Sequence, residues 1–222
     1  MNTDLLAQKS SDGNALDRVL VLEMVRVTEA AAVAASQLIG RGDEKAADAA
    51  AVEAMRRAFD TLYMDGTVVI GEGERDEAPM LYIGEKVGGA LGKGPKIDIA
   101  LDPLEGTTIT AKAGPNALAV LAAAEEGNLL NAPDTYMDKI AVGPGYPPDV
   151  IDLSKSATEN VKSVAAAKGV EPHEIIVCVL DRPRHADLIA ELRGIGCGVV
   201  LIGDGDVAGV IAVTDEDTTI DM

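Results

Sequence analysis

The sequence predicts an α/β protein, with α+β organisation in its N-terminal half and α/β organisation in its C-terminal half. Three observations carry that reading. Two helix-length segments come first, over 19–40 and from Asp43 onward. Short apolar runs bounded by glycine follow them, and from Ser156 segments of strand and helix length alternate. A chain of 222 residues, 47% hydrophobic and 25% charged, can bury a core without disulfide staples.

Taken in order, "VLVLEMVRVTEAAAVAASQLIG" (19–40) is apolar nearly all round. Its Glu23, Arg26 and Glu29 are too costly for a lone membrane span, and their spacing of three suits helical ion pairs. A helix of that kind is expected inside the fold or in a subunit interface. After "GRG", Asp43 opens a second helix whose Val52, Met55, Phe59 and Leu62 recur at helical spacing. Asp48 stands one turn before Val52 on the same stripe. A carboxylate on a buried face needs a partner, a capping role or a metal, and the last two stay open here.

Strands are expected on both sides of the acid-rich loop in "TVVIGEGERDEAPMLYIGE" and at "KIDIALDP", where Pro103 would end the strand. "NALAVLAAAEEGNLLNAPDTYMDKIAVG" reads as further strands joined by Gly and Asn turns. Helix "ATENVKSVAAAKG", strand "EIIVCVLD", helix "RHADLIAELRGIG", strand "GVVLIG" and helix "DVAGVIAVT" complete the chain, with parallel strands expected. Residues 1–155 and 156–222 are the two portions this rhythm suggests.

The charge is lopsided, with 37 acidic against 19 basic residues and a net −18, which disfavours nucleic acid and anionic membranes as partners. An acidic excess serves solubility or concentrates divalent cations. Cys178 and Cys197 lie in apolar strand-like runs and are expected as buried free thiols, which suits a reducing, cytoplasmic setting. The opening "MNTDLLAQKSSDGN" has no basic stretch followed by an apolar one, so no secretory signal is visible.

Three stretches share one design, an apolar strand running into carboxylates and glycines: "VVIGEGERDE", "IALDPLEGTT" and "VVLIGDGDVAG". Ligands of α/β sheets gather beyond the carboxyl ends of strands, so repeated acid there suggests a shared site, although each motif alone is also an ordinary solvated turn. "DPLEGTT" is more specific. Asp102 and Glu105 can face a hard cation, leaving Gly106 and Thr107 at a helix start where N–H groups and a hydroxyl receive a phosphate oxygen.

"DPLEGT" resembles the Asp-Pro-x-Asp/Glu-Gly-Thr signature of the lithium-sensitive, magnesium-dependent phosphatases. With "GRGDEKAAD", "VIGEGERDEAPMLYIGE", "NAPDTYMDK", "DRPRH" and "DGDVA" in that order, the chain from about Leu22 resembles class II fructose-1,6-bisphosphatase, also described as a fructose-bisphosphatase/sedoheptulose-bisphosphatase. The resemblance implies a layered sugar-phosphatase fold, with the metal-binding portion in 1–155. It implies Asp48, Glu72, Asp102 and Glu105 as ligands of Mg²⁺ or Mn²⁺. It also implies Glu105, Gly106, Thr107, Tyr136, Arg182, Pro183, Arg184, Asp204, Gly205 and Asp206 as substrate contacts, with Thr107 orienting water and Asp76 as a proton-transfer candidate. Arginines flanking a proline can grip a phosphate and acids suit sugar hydroxyls; the alternative for Arg184 and His185 is to cap a surface helix. The implied reaction is in-line hydrolysis of a sugar 1-phosphate in gluconeogenesis or the reductive pentose cycle, by a dimer or tetramer.

Two departures qualify the match. Many members read Lys-Asn-Thr-Ala-Asp where this chain has Glu44, Lys45, Ala46, Ala47 and Asp48, so the threonine is missing and the lysine is shifted. The family also runs on past "DEDTTIDM" to a Gly-Ala-Pro-Glu-Gly turn carrying a further metal ligand, so this chain is expected to be an N-terminal portion. Alternatives are an inositol or nucleotide phosphomonoesterase, or an inactive fragment that binds metal or partner subunits.

Overall fold

The computed structural model describes residues 18–72, 80–130, 135–215 and 217–222, and these form two compact units, 1–134 and 135–222. In the first unit, helices α1 (Arg18–Ser36) and α2 (Glu44–Phe59) precede β1 (Asp65–Ile70), β2 (Lys86–Val87), β3 (Lys96–Glu105), the short α3 (Thr107–Ala111) and β4 (Leu118–Glu125). The sheet order is β2-β1-β3-β4, with β1 and β3 parallel and the other pairs antiparallel. The helices pack on the sheet through Met24, Val27, Met55 and Phe59 against Ile97, Ile99 and Leu101. Burying such side chains is worth roughly 1.5–3 kcal/mol each, which is what holds α2 at a fixed place beside β3.

Helix α2 follows its sequence closely. Asp43 is the N-cap, its side chain accepting from the Ala46 N–H at 2.9 Å. Val52, Met55 and Phe59 are buried in the helix, and Leu62 is buried just beyond it. Helix α1 is covered on one side only by its own unit. Leu20, Met24, Val27, Ala31 and Ala35 form one buried stripe, while Val19, Val21, Leu22, Val25 and Val33 are exposed.

The second unit contains α4 (Ala157–Lys168), β5 (Ile176–Leu180), α5 (Ala186–Gly194), β6 (Gly198–Ile202) and α6 (Asp206–Ala212), with β5 and β6 parallel. Ser156 and Glu159 form a reciprocal capping box that starts α4. The segment before it belongs to this unit by packing, because Ile140, Val142, Tyr146, Val150 and Ile151 join the core of Val161, Val164, Ile175 and Leu192. The division drawn at 155/156 therefore falls inside the second unit. Beyond β4, the described residues of 126–148 form no strand, contrary to the sequence reading. Of their apolar side chains, Ile140, Val142 and Tyr146 pack on the core singly, with no strand ladder among them.

Cys197 is buried and Cys178 half-buried, and both are free thiols whose pKa is raised by burial. No helix among the described residues is long and apolar enough to cross a membrane.

Candidate functional site

The acids foreseen in the first unit gather at the carboxyl ends of its parallel strands. Register pairs Ile70 of β1 with Ala100 of β3, so Glu72, just beyond β1, runs alongside Asp102. Glu72 forms an isolated parallel bridge with Tyr82 and is half-buried.

Pro103 does not end β3, which continues to Glu105. Asp102 pairs with Val120 and Glu105 with Leu118, so three steps along β3 oppose two along β4 and one residue is extra. Proline removes only its own ladder donor, and the Leu104 N–H turns inward to the Asp102 carboxylate at 3.0 Å. In a regular strand, residues three apart point to opposite faces. The bulge brings the two acids to one side, where the carboxyl groups of Asp102 and Glu105 are hydrogen-bonded.

Asp48 lies half-buried in α2, and the capping role left open for it is filled by Asp43. Burial, aided by the nearby charges of Glu72 and Asp48, pushes the Asp102 carboxyl up to about 6, against the opposing pull of hydrogen bonds from Glu105 and the Leu104 N–H. A hydrogen bond between two carboxyl groups requires a proton between them, so a cation binding here competes with a proton. Among the described residues no three acidic, His or Cys side chains stand together as a ready-made ligand set. The donor chemistry nevertheless fits a hard divalent ion, since every side-chain donor is a carboxylate oxygen and their mutual charge opposes full ionisation.

Gly106 connects β3 to α3 at φ +98°, a left-handed conformation, and an added Cβ would stand 3.0 Å from Ile109 Cδ1. Thr107 is the first residue of α3, which spans five residues and has no side-chain cap. Asp76 lies outside the described residues.

In the second unit, Tyr136 is exposed and the Arg184 guanidinium sits 4.6 Å from its ring centroid. Arg182 precedes a short 3-10 turn, Pro183–His185, and donates to the Gly203 carbonyl, with Asp204 at 3.6 Å. His185 is the residue before α5, but its ring contacts the Leu180 carbonyl at 2.9 Å and provides no side-chain cap. Gly205, at φ +80°, precedes α6, and Asp206 pairs with Lys139 at 3.0 Å. Arg182 and Asp204 are thus brought together, as are Tyr136 and Arg184.

Sequence reading passed over Lys139, Arg56 and Glu85. Arg56 carried a usable signal, because it follows Val52 by one turn just as Asp48 precedes it. It pairs with the buried Glu85 at 2.5 Å.

A family model described as "Bacterial fructose-1,6-bisphosphatase, glpX-encoded" matches residues 18–222. The chain is 51% identical over 205 residues to the Escherichia coli K12 protein named fructose-1,6-bisphosphatase 1 class 2, covering 92% of this chain and 60% of that protein. It is 49% identical over 203 residues to a Prochlorococcus marinus protein named D-fructose 1,6-bisphosphatase class 2/sedoheptulose 1,7-bisphosphatase, covering 91% and 60%. The chain thus spans about three fifths of the length of these relatives. With the strand-end acids and the match over nearly all described residues taken together, the chain belongs to the glpX-encoded bacterial fructose-1,6-bisphosphatase family.

Proposed function

We propose that this chain provides metal-binding and substrate-binding parts of a phosphatase that hydrolyses the 1-phosphate of fructose 1,6-bisphosphate, with sedoheptulose 1,7-bisphosphate as a second substrate. The observation that carries the reading is Asp102, buried beside Glu72 and Asp48 and hydrogen-bonded to Glu105. Carboxylates of like charge brought close together favour a divalent cation as their ligand.

Asp48, Glu72, Asp102 and Glu105 would hold Mg²⁺ or Mn²⁺. The bound ion supplies Lewis acidity toward a phosphoryl oxygen and makes water a better nucleophile. Thr107 orients the attacking water through its hydroxyl, and Asp76 is the candidate for proton transfer. In the first unit, Glu105, Gly106 and Thr107 are the proposed substrate contacts. Within the second unit, Tyr136, Arg182, Pro183, Arg184, Asp204, Gly205 and Asp206 are the proposed substrate contacts. Arg182, already tied to the Gly203 carbonyl, is held for phosphate without a large ordering cost. The protein is proposed to act in the cytoplasm as a homo-oligomer, with neither nucleic acid nor membrane as partner.

A second reading, a chain that binds cations without turnover, is favoured by the 60% span of the relatives. Phosphate release from fructose 1,6-bisphosphate and from inositol 1-phosphate, with Mn²⁺ and with EDTA, separates the readings when this chain is compared with one extended to the relatives' length. Cation-dependent release confined to the sugar bisphosphate supports the first. Release from inositol 1-phosphate at equal rate would overturn the substrate assignment, and release by neither chain would overturn the enzyme.

A further inference from the structure

We propose that Glu85, clamped by Arg56, is a positioning residue that sets the backbone carrying Glu72 for cation binding; the inference rests on the reading of Glu72 as a metal ligand. Glu85 is 9% exposed, and both oxygens of its carboxylate are engaged. Oε1 accepts from Arg56 Nε at 2.5 Å, and Oε2 accepts from the backbone N–H of Leu81. The Leu81 carbonyl in turn accepts the N–H of Glu72 at 2.9 Å. Arg56 lies two turns beyond Asp48 on α2, so a continuous path runs from the Asp48 helix through Arg56, Glu85 and Leu81 to Glu72.

Two further observations show that this path is built at a cost. Leu81 has φ +59°, a left-handed conformation disfavoured for a bulky side chain and maintained only where surrounding contacts dictate it. The chain also comes so close here that a Cβ on Gly71 would lie 2.3 Å from the Leu81 carbonyl oxygen and 2.5 Å from Val68 Cγ1. A hairpin needs neither feature. A buried carboxylate is itself an expensive way to hold a turn, which an ordinary backbone pairing would do without it. What the arrangement adds is a fixed Leu81 carbonyl, and with it a fixed Glu72 N–H. Arg56 also bonds Asp60 at 2.5 Å, but Asp60 does not reach Leu81.

The test is calorimetric titration of Mn²⁺ into the 222-residue chain and its variants, with folding read by circular dichroism. E85A is expected to weaken Mn²⁺ binding by about 10–100-fold, the range typical of residues that orient a ligand. E85Q keeps an acceptor for Leu81 but loses the charge facing Arg56, and is expected to weaken binding by about 3–10-fold. D60A, which removes the second partner of Arg56 at Nη1 and leaves its Nε bond to Glu85, should retain parental affinity. Parental affinity in a folded E85A or E85Q would overturn the positioning role, as would an equal loss in D60A. If E85A does not fold, E85Q decides alone. A parental chain that binds no Mn²⁺ would instead sink the metal-ligand reading of Glu72, and this inference with it.

Discussion

The two units handle their acids differently. In the second, Asp204 lies 3.6 Å from Arg182 and Asp206 lies 3.0 Å from Lys139, so each foreseen acid has a basic side chain at hand. In the first, burial of Asp102, and after it the charges of Glu72 and Asp48, raise its tendency to bind a proton. One set stands against basic side chains of its own unit, while the other sets acid beside acid, which is the arrangement the proposed cation would relieve. Glu72, from "GEGE", and the acids of "GDGD", which look alike in sequence, thus have different electrostatic neighbours once folded.

The largest effect that would break this contrast concerns turnover. Asp102→Asn is expected to lower cation-dependent phosphate release by about 1000-fold or more, since a ligand to the ion acts in the transition state. A variant with near-parental kcat would remove Asp102 from the ligand set.

Next is pH. The Asp102 carboxyl titrates near 6 in the fold against an ordinary 3.8, so the folded chain holds a proton that the unfolded chain has released. Stability of the cation-free chain should therefore fall as pH rises through that window, by up to about 3 kcal/mol, and remain lowered above it. Urea unfolding in EDTA at several pH values, for the parent and Asp102→Asn, isolates this contribution; identical profiles would contradict it. Cation binding has the opposite trend and should strengthen as pH rises through 6.

Adding Mn²⁺ at about 100 times its Kd should stabilise the chain by about 2.7 kcal/mol, a rise of several degrees in Tm that EDTA reverses. Asp102→Asn should show little of that rise. The smallest effect belongs to the second unit, where Lys139→Ala removes a pair whose members are 54% and 35% exposed and should cost under about 1 kcal/mol in chemical denaturation. A larger loss would mean that the self-neutralised unit depends on its charges after all.

Much of the architecture was legible because burial imposes a period. Val52, Met55 and Phe59 fixed the inward face of α2, Asp43 its start, and the alternation after Ser156 the parallel β5 and β6. Where the period was missing, reading failed. Helix α1 is apolar on several sides, so its pattern could not reveal that only the Leu20, Met24 and Val27 stripe is covered. The apolar residues of 126–148 anchor the second core one by one, which in sequence looks like strand.

At the site, Asp48 was legible as an acid on an apolar stripe and Asp102 with Glu105 as a pair at a strand end, whereas Glu72 lay in an acid-rich loop and stood out only through the family resemblance. Asp48 and Glu72 make themselves felt at Asp102 only across the folded chain. Glu85 was not legible, since one acid after Gly84 looks like any surface charge until the fold buries it. The bulge was hidden for a related reason: proline announces an interruption, but whether the partner strand resumes beyond it depends on Leu118 and Val120, many residues later.

That bulge makes the span from Asp102 to Glu105 a matter of odd and even counting. Loops commonly tolerate a residue gained or lost, because slack absorbs it. Here, removing Leu104 would leave the two acids two apart on one side of an unbulged ladder, whereas an inserted neighbour that advances the ladder by one would send one acid through to the far side of the sheet. The four-residue stretch should therefore resist gaining a residue more than losing one, because only the gain turns one carboxylate away from the other.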